Sequence, residues 1–166
     1  MVLGMSLATY TAVHVVISLI GIGTGLVVMF GLLTGKRLDL WTTVFLITTV
    51  LTSITGFGFP VAHLLPSHIV AILSLIVLAL AIPARYAFHL NGAWRWVYVI
   101  GSAVALYFNV FVLVIQSFEK VAALKALAPT QKEPPFVVTQ LLVLVIFVAL
   151  TILATVRFHP ERAGTA

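Results

Sequence analysis

Cysteine is absent from the 166-residue chain. That excludes disulfides, thiolate metal sites and haem attached through thioethers. Charge is scarce too: 8% of residues are charged, with nine Lys and Arg against four Asp and Glu. A soluble domain carries about 25% charged residues, so this chain has too little polar surface to face water all round. The four acidic residues, Asp39, Glu119, Glu133 and Glu161, fall between or after the apolar runs. With no carboxylate inside a run, a proton-relay pump and a carboxylate-bridged di-iron centre are disfavoured. A P-loop, an HExxH motif and an N-x-S/T sequon are missing as well. Gly21, Gly23 and Gly25 do not match GxGxxG and lie inside an apolar run, so no dinucleotide site is read there. The net charge of +5 is spread along the ends of runs and gives no basic patch for nucleic acid. The first residues, MVLGMSLATYTAVHVV, lack a basic n-region and a small-residue cleavage site. They read as the start of a retained first span.

What the chain has in abundance is apolar length. Hydrophobic residues make up 62% of it and the mean hydropathy is +1.23. A helix needs about 20 apolar residues to cross the hydrocarbon core, and five runs supply them: residues 6–33, 41–62, 68–89, 96–118 and 136–156. The fold class expected is therefore an all-α membrane protein, a single domain over 1–166 with five transmembrane helices. In segment 119–135, Val121, Leu124, Leu127 and Ala128 share a helical face before Pro129 stops it, which suits a short helix lying in the interface.

Lysine and arginine set the orientation. Lys36, Arg37, Arg85, Arg95, Arg157 and Arg162 lie on one side, six in all; Lys120, Lys125 and Lys132 lie on the other, three in all. The expectation is an N-terminus outside and a C-terminus in the cytoplasm, with Trp41, Trp94 and Trp96 in the cytoplasmic interface. Arg85 reads as a side chain snorkelling to that interface. Pro83, just before it, removes one helix hydrogen bond.

The turn over residues 55–70, TGFGFPVAHLLPSHIV, joins the second and third runs and holds Pro60, Pro66, His63 and His68. The polar side chains of the spans gather toward its end of the bundle. In the first run His14, Ser18, Gly21 and Gly25 share a face, and Gly21 and Gly25 form a GxxxG that permits close backbone approach. The second run has a matching seam in Thr49, Thr52, Gly56, Phe59 and His63. Ser102, Asn109 and Gln116 recur every seven residues in the fourth run, and Gln140 lies near the outer end of the fifth. His14, His63, His68, Gln116 and Gln140 thus map to the outer leaflet, where they could line a polar pocket. Ser18, Gly21, Gly25, Thr52, Gly56 and Asn109 are read as helix-packing positions.

These residues permit three readings. In the first, outer histidines hold b-type haem, or copper or zinc if His14, His63 and His68 all ligate, beside a quinone pocket; imidazole is the strong ligand available inside the spans. In the second, the protein is a non-catalytic accessory or assembly subunit without cofactor, and its amides and small residues only join helices to each other or to a partner membrane subunit. In the third, it is a small transporter working as a homo-oligomer. Membrane lipid is a partner in all three, and nucleic acid in none.

The run LYFNVFVLVIQSFEKVAALKALAPTQKEPPFVVTQ resembles a group of small uncharacterised bacterial inner-membrane proteins. The likeness rests on Asn109, Gln116 and Ala128-Pro129-Thr130-Gln131 ahead of Pro134-Pro135. It implies a bacterial inner membrane and carries no activity, cofactor or catalytic residue with it.

Overall fold

The computed structural model describes residues 2, 4–60 and 66–159. Its elements are all helices: α1 (Leu7–Leu33), α2 (Asp39–Gly56), α3 (Pro66–Tyr86), α4 (Trp94–Lys120), the short α5 (Ala122–Leu127) and α6 (Pro134–Arg157). Five of these, all but α5, are long and apolar enough to span a membrane. The 27 residues of α1 reach about 40 Å at 1.5 Å per residue, enough to cross with tilt.

Local chemistry sets the helix ends. Ser6 caps α1 by accepting from the Thr9 N–H at 3.1 Å, as N-cap hydroxyls do. Gly35 then turns the chain with φ +70°, a conformation open to glycine at little cost. Pro134 and Pro135 open α6, where a missing N–H costs nothing. The second span stops at Gly56, short of the expected residue 62. Gly56, Gly58 and Pro60 are poor helix formers in sequence, and the Tyr10 hydroxyl donates to the Thr55 carbonyl at 2.7 Å. The same carbonyl accepts the Gly58 N–H at 3.1 Å, so Tyr10 adds a second donor at a helix end whose carbonyls lack intrahelical partners.

Helices α1, α2, α3 and α4 form a ring in chain order, closed by contact between α1 and α4. The fifth span, α6, packs from outside on α4 and α1, and α5 rests on α4. Large apolar side chains such as Val138, Val145, Ile152 and Val156 on α6 stay exposed. In a bilayer that outer surface meets acyl chains, so it carries no aqueous penalty.

The two ends of the ring differ. At the end where α2 and α4 begin, Phe45, Leu78, Tyr98, Val99 and Leu106 are almost fully buried in one continuous core. Phe158, just past α6, is 0% exposed beside the Tyr98 ring, and the Arg95 guanidinium donates to its carbonyl. Arg85 corrects the sequence reading. It does not snorkel to water: its side chain is 2% exposed and paired with Asp39, with the Tyr98 ring 5.1 Å from the guanidinium carbon. The partner lies 46 residues away in sequence, beyond the reach of any local pattern. At the opposite end, where α2 and α4 finish, the ring encloses a cavity.

Candidate functional site in the helical ring

Packing changes along α1. At Gly25 an added Cβ would lie 2.6 Å from Leu106 and 2.8 Å from Phe45, so α1 touches α4 and α2 at van der Waals limits there. One turn nearer the N-terminus, a Cβ at Gly21 would meet Thr48, Thr49 and Asn109 at 3.2, 3.5 and 3.7 Å. Thr49 and Asn109 are themselves joined, with the Asn109 amide donating to the Thr49 hydroxyl at 3.2 Å. Above this node the helices spread around a cavity of about 650 Å³.

All four ring helices line it. His14 and Ser18 come from α1, Thr52, Ser53 and Gly56 from α2, His68 and Ser74 from α3, and Asn109 and Gln116 from α4. Glu119 and Lys120 stand at its rim, with Val121. Apolar wall is supplied by Val15, Ile22, Val70, Phe108 and Val112. Few convergent polar groups on apolar walls is the composition of a small-molecule site, and the volume falls within the usual range of about 300–1,000 Å³.

His14 is held on one edge by α2. Its Nδ1 lies 2.8 Å from the Thr55 hydroxyl oxygen, and the Phe59 ring meets it edge-on at 5.2 Å and 90°. Phe59 also packs edge-on against Tyr10 at 5.1 Å. The loop after α2 is therefore pinned to α1 by Tyr10, His14 and Phe59 together. His68 is 4% exposed and stacks on Phe57 at 5.5 Å.

Of the residues expected in the pocket, His14, His68 and Gln116 reach the cavity wall; Ser18, Thr52 and Asn109, read as helix-packing positions, stand in it too. Gln140 does not. Because α6 lies outside the ring, its amide donates to the Phe111 carbonyl of α4 at 3.2 Å, joining two helices rather than facing the cavity. Gly56 was expected to pack against α1, yet a Cβ there would meet nothing within 4 Å. It faces open space where the helices have diverged. The close approach is two residues on, at Gly58, against the Tyr10 ring and hydroxyl. His63 lies outside the described residues. Among those described, no three His, Cys, Asp or Glu side chains gather as a metal site; the centre expected on His14, His63 and His68 includes a residue outside that set.

One hydroxyl, that of Ser74, went unremarked in the sequence, and another, that of Thr52, was read only as a packing position. Serines and threonines in these helices mostly return their proton to the carbonyl four residues back, as at Ser18, Thr24, Thr48 and Ser53. Ser74 and Thr52 do not: their oxygens are buried and have no hydrogen-bond partner among the described residues. Ser74 is 2% exposed. An unpaired buried hydroxyl costs free energy, and both of these stand in the cavity wall. A faint signal existed, since Ser67 and Ser74 are seven apart and so share a face of α3.

Comparison with protein-family models, with curated proteins and with solved structures found no match for the chain.

Proposed function

We propose that the protein binds a lipophilic small molecule of the quinone class inside the membrane, in the cavity of the α1–α4 ring. The single observation that carries this reading is the cavity itself, with its apolar walls and polar groups on separate sides. A flat ring with an oxygen at each end needs hydrogen-bonding partners on opposite walls. His14 on α1, Thr52 on α2, Ser74 on α3 and Asn109 and Gln116 on α4 offer them. The lysine and arginine asymmetry supports an outer-leaflet cavity, and the resemblance over residues 106–140 supports a bacterial inner membrane.

One observation favours a second reading, haem or metal ligation by His14. Histidine ligands are usually oriented by a hydrogen bond at the other ring nitrogen, and Thr55 gives His14 such a bond.

Titration of the detergent-purified protein with a short-tail ubiquinone analogue tests the first reading. Saturable binding at one site is expected. Gly56→Phe and Ala71→Phe, which place a ring in the cavity from α2 and α3, should abolish binding while melting near the unsubstituted protein. Absence of saturable binding would overturn the proposal. A Soret band or stoichiometric metal in protein made with ample haem and metals would favour the second reading.

A further inference from the structure

We infer that the cavity selects the reduced, hydroxyl-bearing form of its ligand, with His14 Nε2 accepting the ligand's hydroxyl proton and the ligand entering between α1 and α4. The inference rests on the quinone-class reading above and adds a redox preference and a route.

The preference follows from where the protons are. The Thr55 hydroxyl has one hydrogen and three acceptors within reach, the Leu51 carbonyl at 2.7 Å, the Thr52 carbonyl at 3.3 Å and His14 Nδ1 at 2.8 Å. Two of the three, including the shortest, belong to its own helix, and we assign the hydrogen to them. Toward His14, 2.8 Å away, Thr55 offers only a lone pair. His14 Nδ1 is therefore the donor of that bond. In a neutral imidazole one nitrogen carries hydrogen and the other accepts, so Nε2 presents a bare lone pair. No group among the described residues donates to it, and His14 is in the cavity wall. The Tyr10–Thr55 bond and the edge-on Phe59 ring fix the loop that holds this arrangement.

A quinone oxygen brought to His14 sets lone pair against lone pair. A quinol hydroxyl completes a hydrogen bond there. The far oxygen does not discriminate, because the Asn109 and Gln116 amides in the cavity wall each carry both a donor and an acceptor. The asymmetry in redox form thus comes from the His14 wall alone.

The route follows from which wall residues are also outer surface. Leu7, Val15 and Leu19 on α1, Leu113 on α4 and Val121 just past its end line the cavity, yet each is more than a third exposed. The α2 and α3 side is closed by buried Ser53, His68 and Ser74. Helices α1 and α4 meet at Gly25 and Leu106 and leave a gap above, lined by apolar side chains that face the hydrocarbon. A ligand dissolved in the bilayer reaches the cavity through that gap without crossing water.

The test compares the quinol and quinone forms of one short-tail analogue, the quinol kept reduced under anaerobic conditions, on the full chain in detergent. The quinol should bind at least ten-fold more tightly, equivalent to about 1.4 kcal/mol. Thr55→Val removes the acceptor that orients His14 and should bring the ratio toward one while both forms still bind. His14→Gln, whose amide can donate or accept, should do the same if Thr55→Val fails to fold. Nitrogen-15 spectra of histidine-labelled protein read the tautomer directly, with Nδ1–H expected for His14. Equal affinities, tighter quinone binding or an Nε2–H tautomer would overturn the inference and leave the binding site standing. Binding of neither form would overturn both.

Discussion

Asn109 on α4 donates to the Thr49 hydroxyl on α2 at 3.2 Å, directly opposite Gly21 of α1. This bond marks the floor of the cavity. Below it the ring is filled by side chains; above it the same four helices enclose empty volume. Interhelical hydrogen bonds of this kind average about 0.6 kcal/mol in membranes, so the bond positions more than it stabilises.

A double-mutant cycle on Asn109→Ala and Thr49→Val should return a coupling of about 0.6 kcal/mol. The cost stays small because a Thr49 hydroxyl released from Asn109 can turn to its own helix backbone. Ligand affinity should fall more steeply than stability, since Asn109 also lines the cavity. A coupling near zero, measured by unfolding in detergent, would show that the two side chains do not meet.

The glycines should separate by location. Gly25→Val forces methyls into Leu106 and Phe45 and should cost about 1–3 kcal/mol, as overpacking does. Gly23→Ala, with nothing within 4 Å of its Cβ, should be neutral or mildly stabilising through helix propensity. Gly56→Leu should also be tolerated, because its side chain enters the cavity. Equal melting temperatures for the Gly25 and Gly23 variants would remove the α1–α2–α4 contact.

These glycines also show what the sequence could tell. Five spans were readable because apolar length is a one-dimensional signal, and all five appear as long helices. The gathering of His14, His68 and Gln116 was readable because depth follows from position along a span. Which glycine meets a neighbour was not. Gly21 and Gly56 sit in similar seams, and only the divergence of the helices above Asn109 leaves Gly56 facing space. Gln140 has the right depth but belongs to a helix outside the ring, and ring membership has no local signature. Ser74 looked like any serine in a span until its helix carbonyl proved not to be its partner.

Topology is the next prediction. Six lysines and arginines against three should place the Asp39 end in the cytoplasm and the cavity toward the periplasm. Trp41 and Trp96, both about half exposed, lie at the same end as Lys36, Arg37, Arg85, Arg95 and Arg157. With no native cysteine, single cysteines report cleanly. Those at Ser67 and Thr130 should react with an impermeant thiol reagent in intact cells, and one at Gly35 should not. The reverse pattern would put the cavity in the cytoplasmic leaflet.

The last prediction concerns the packed end. Arg85 is buried, while Asp39 keeps 70% of its side chain exposed and also faces Arg37 at 3.6 Å. Removing Asp39 leaves a guanidinium in a nearly closed environment, held by the Tyr98 and Tyr86 rings at 5.1 and 5.6 Å and with a buried, unpartnered Nε. A charged hydrogen bond is worth about 1.5–3 kcal/mol, and the exposure of Asp39 argues for the lower end. Asp39→Ala should therefore lower the melting temperature measurably. Arg85→Lys should not substitute for arginine, because an ammonium cannot stack on the two rings as a planar guanidinium does. Arg85→Met in the Asp39→Ala background should recover part of the loss, since replacing a buried charge by an apolar side chain removes its desolvation cost. A double variant no more stable than Asp39→Ala alone would mean that the unpaired arginine is not the source of the destabilisation.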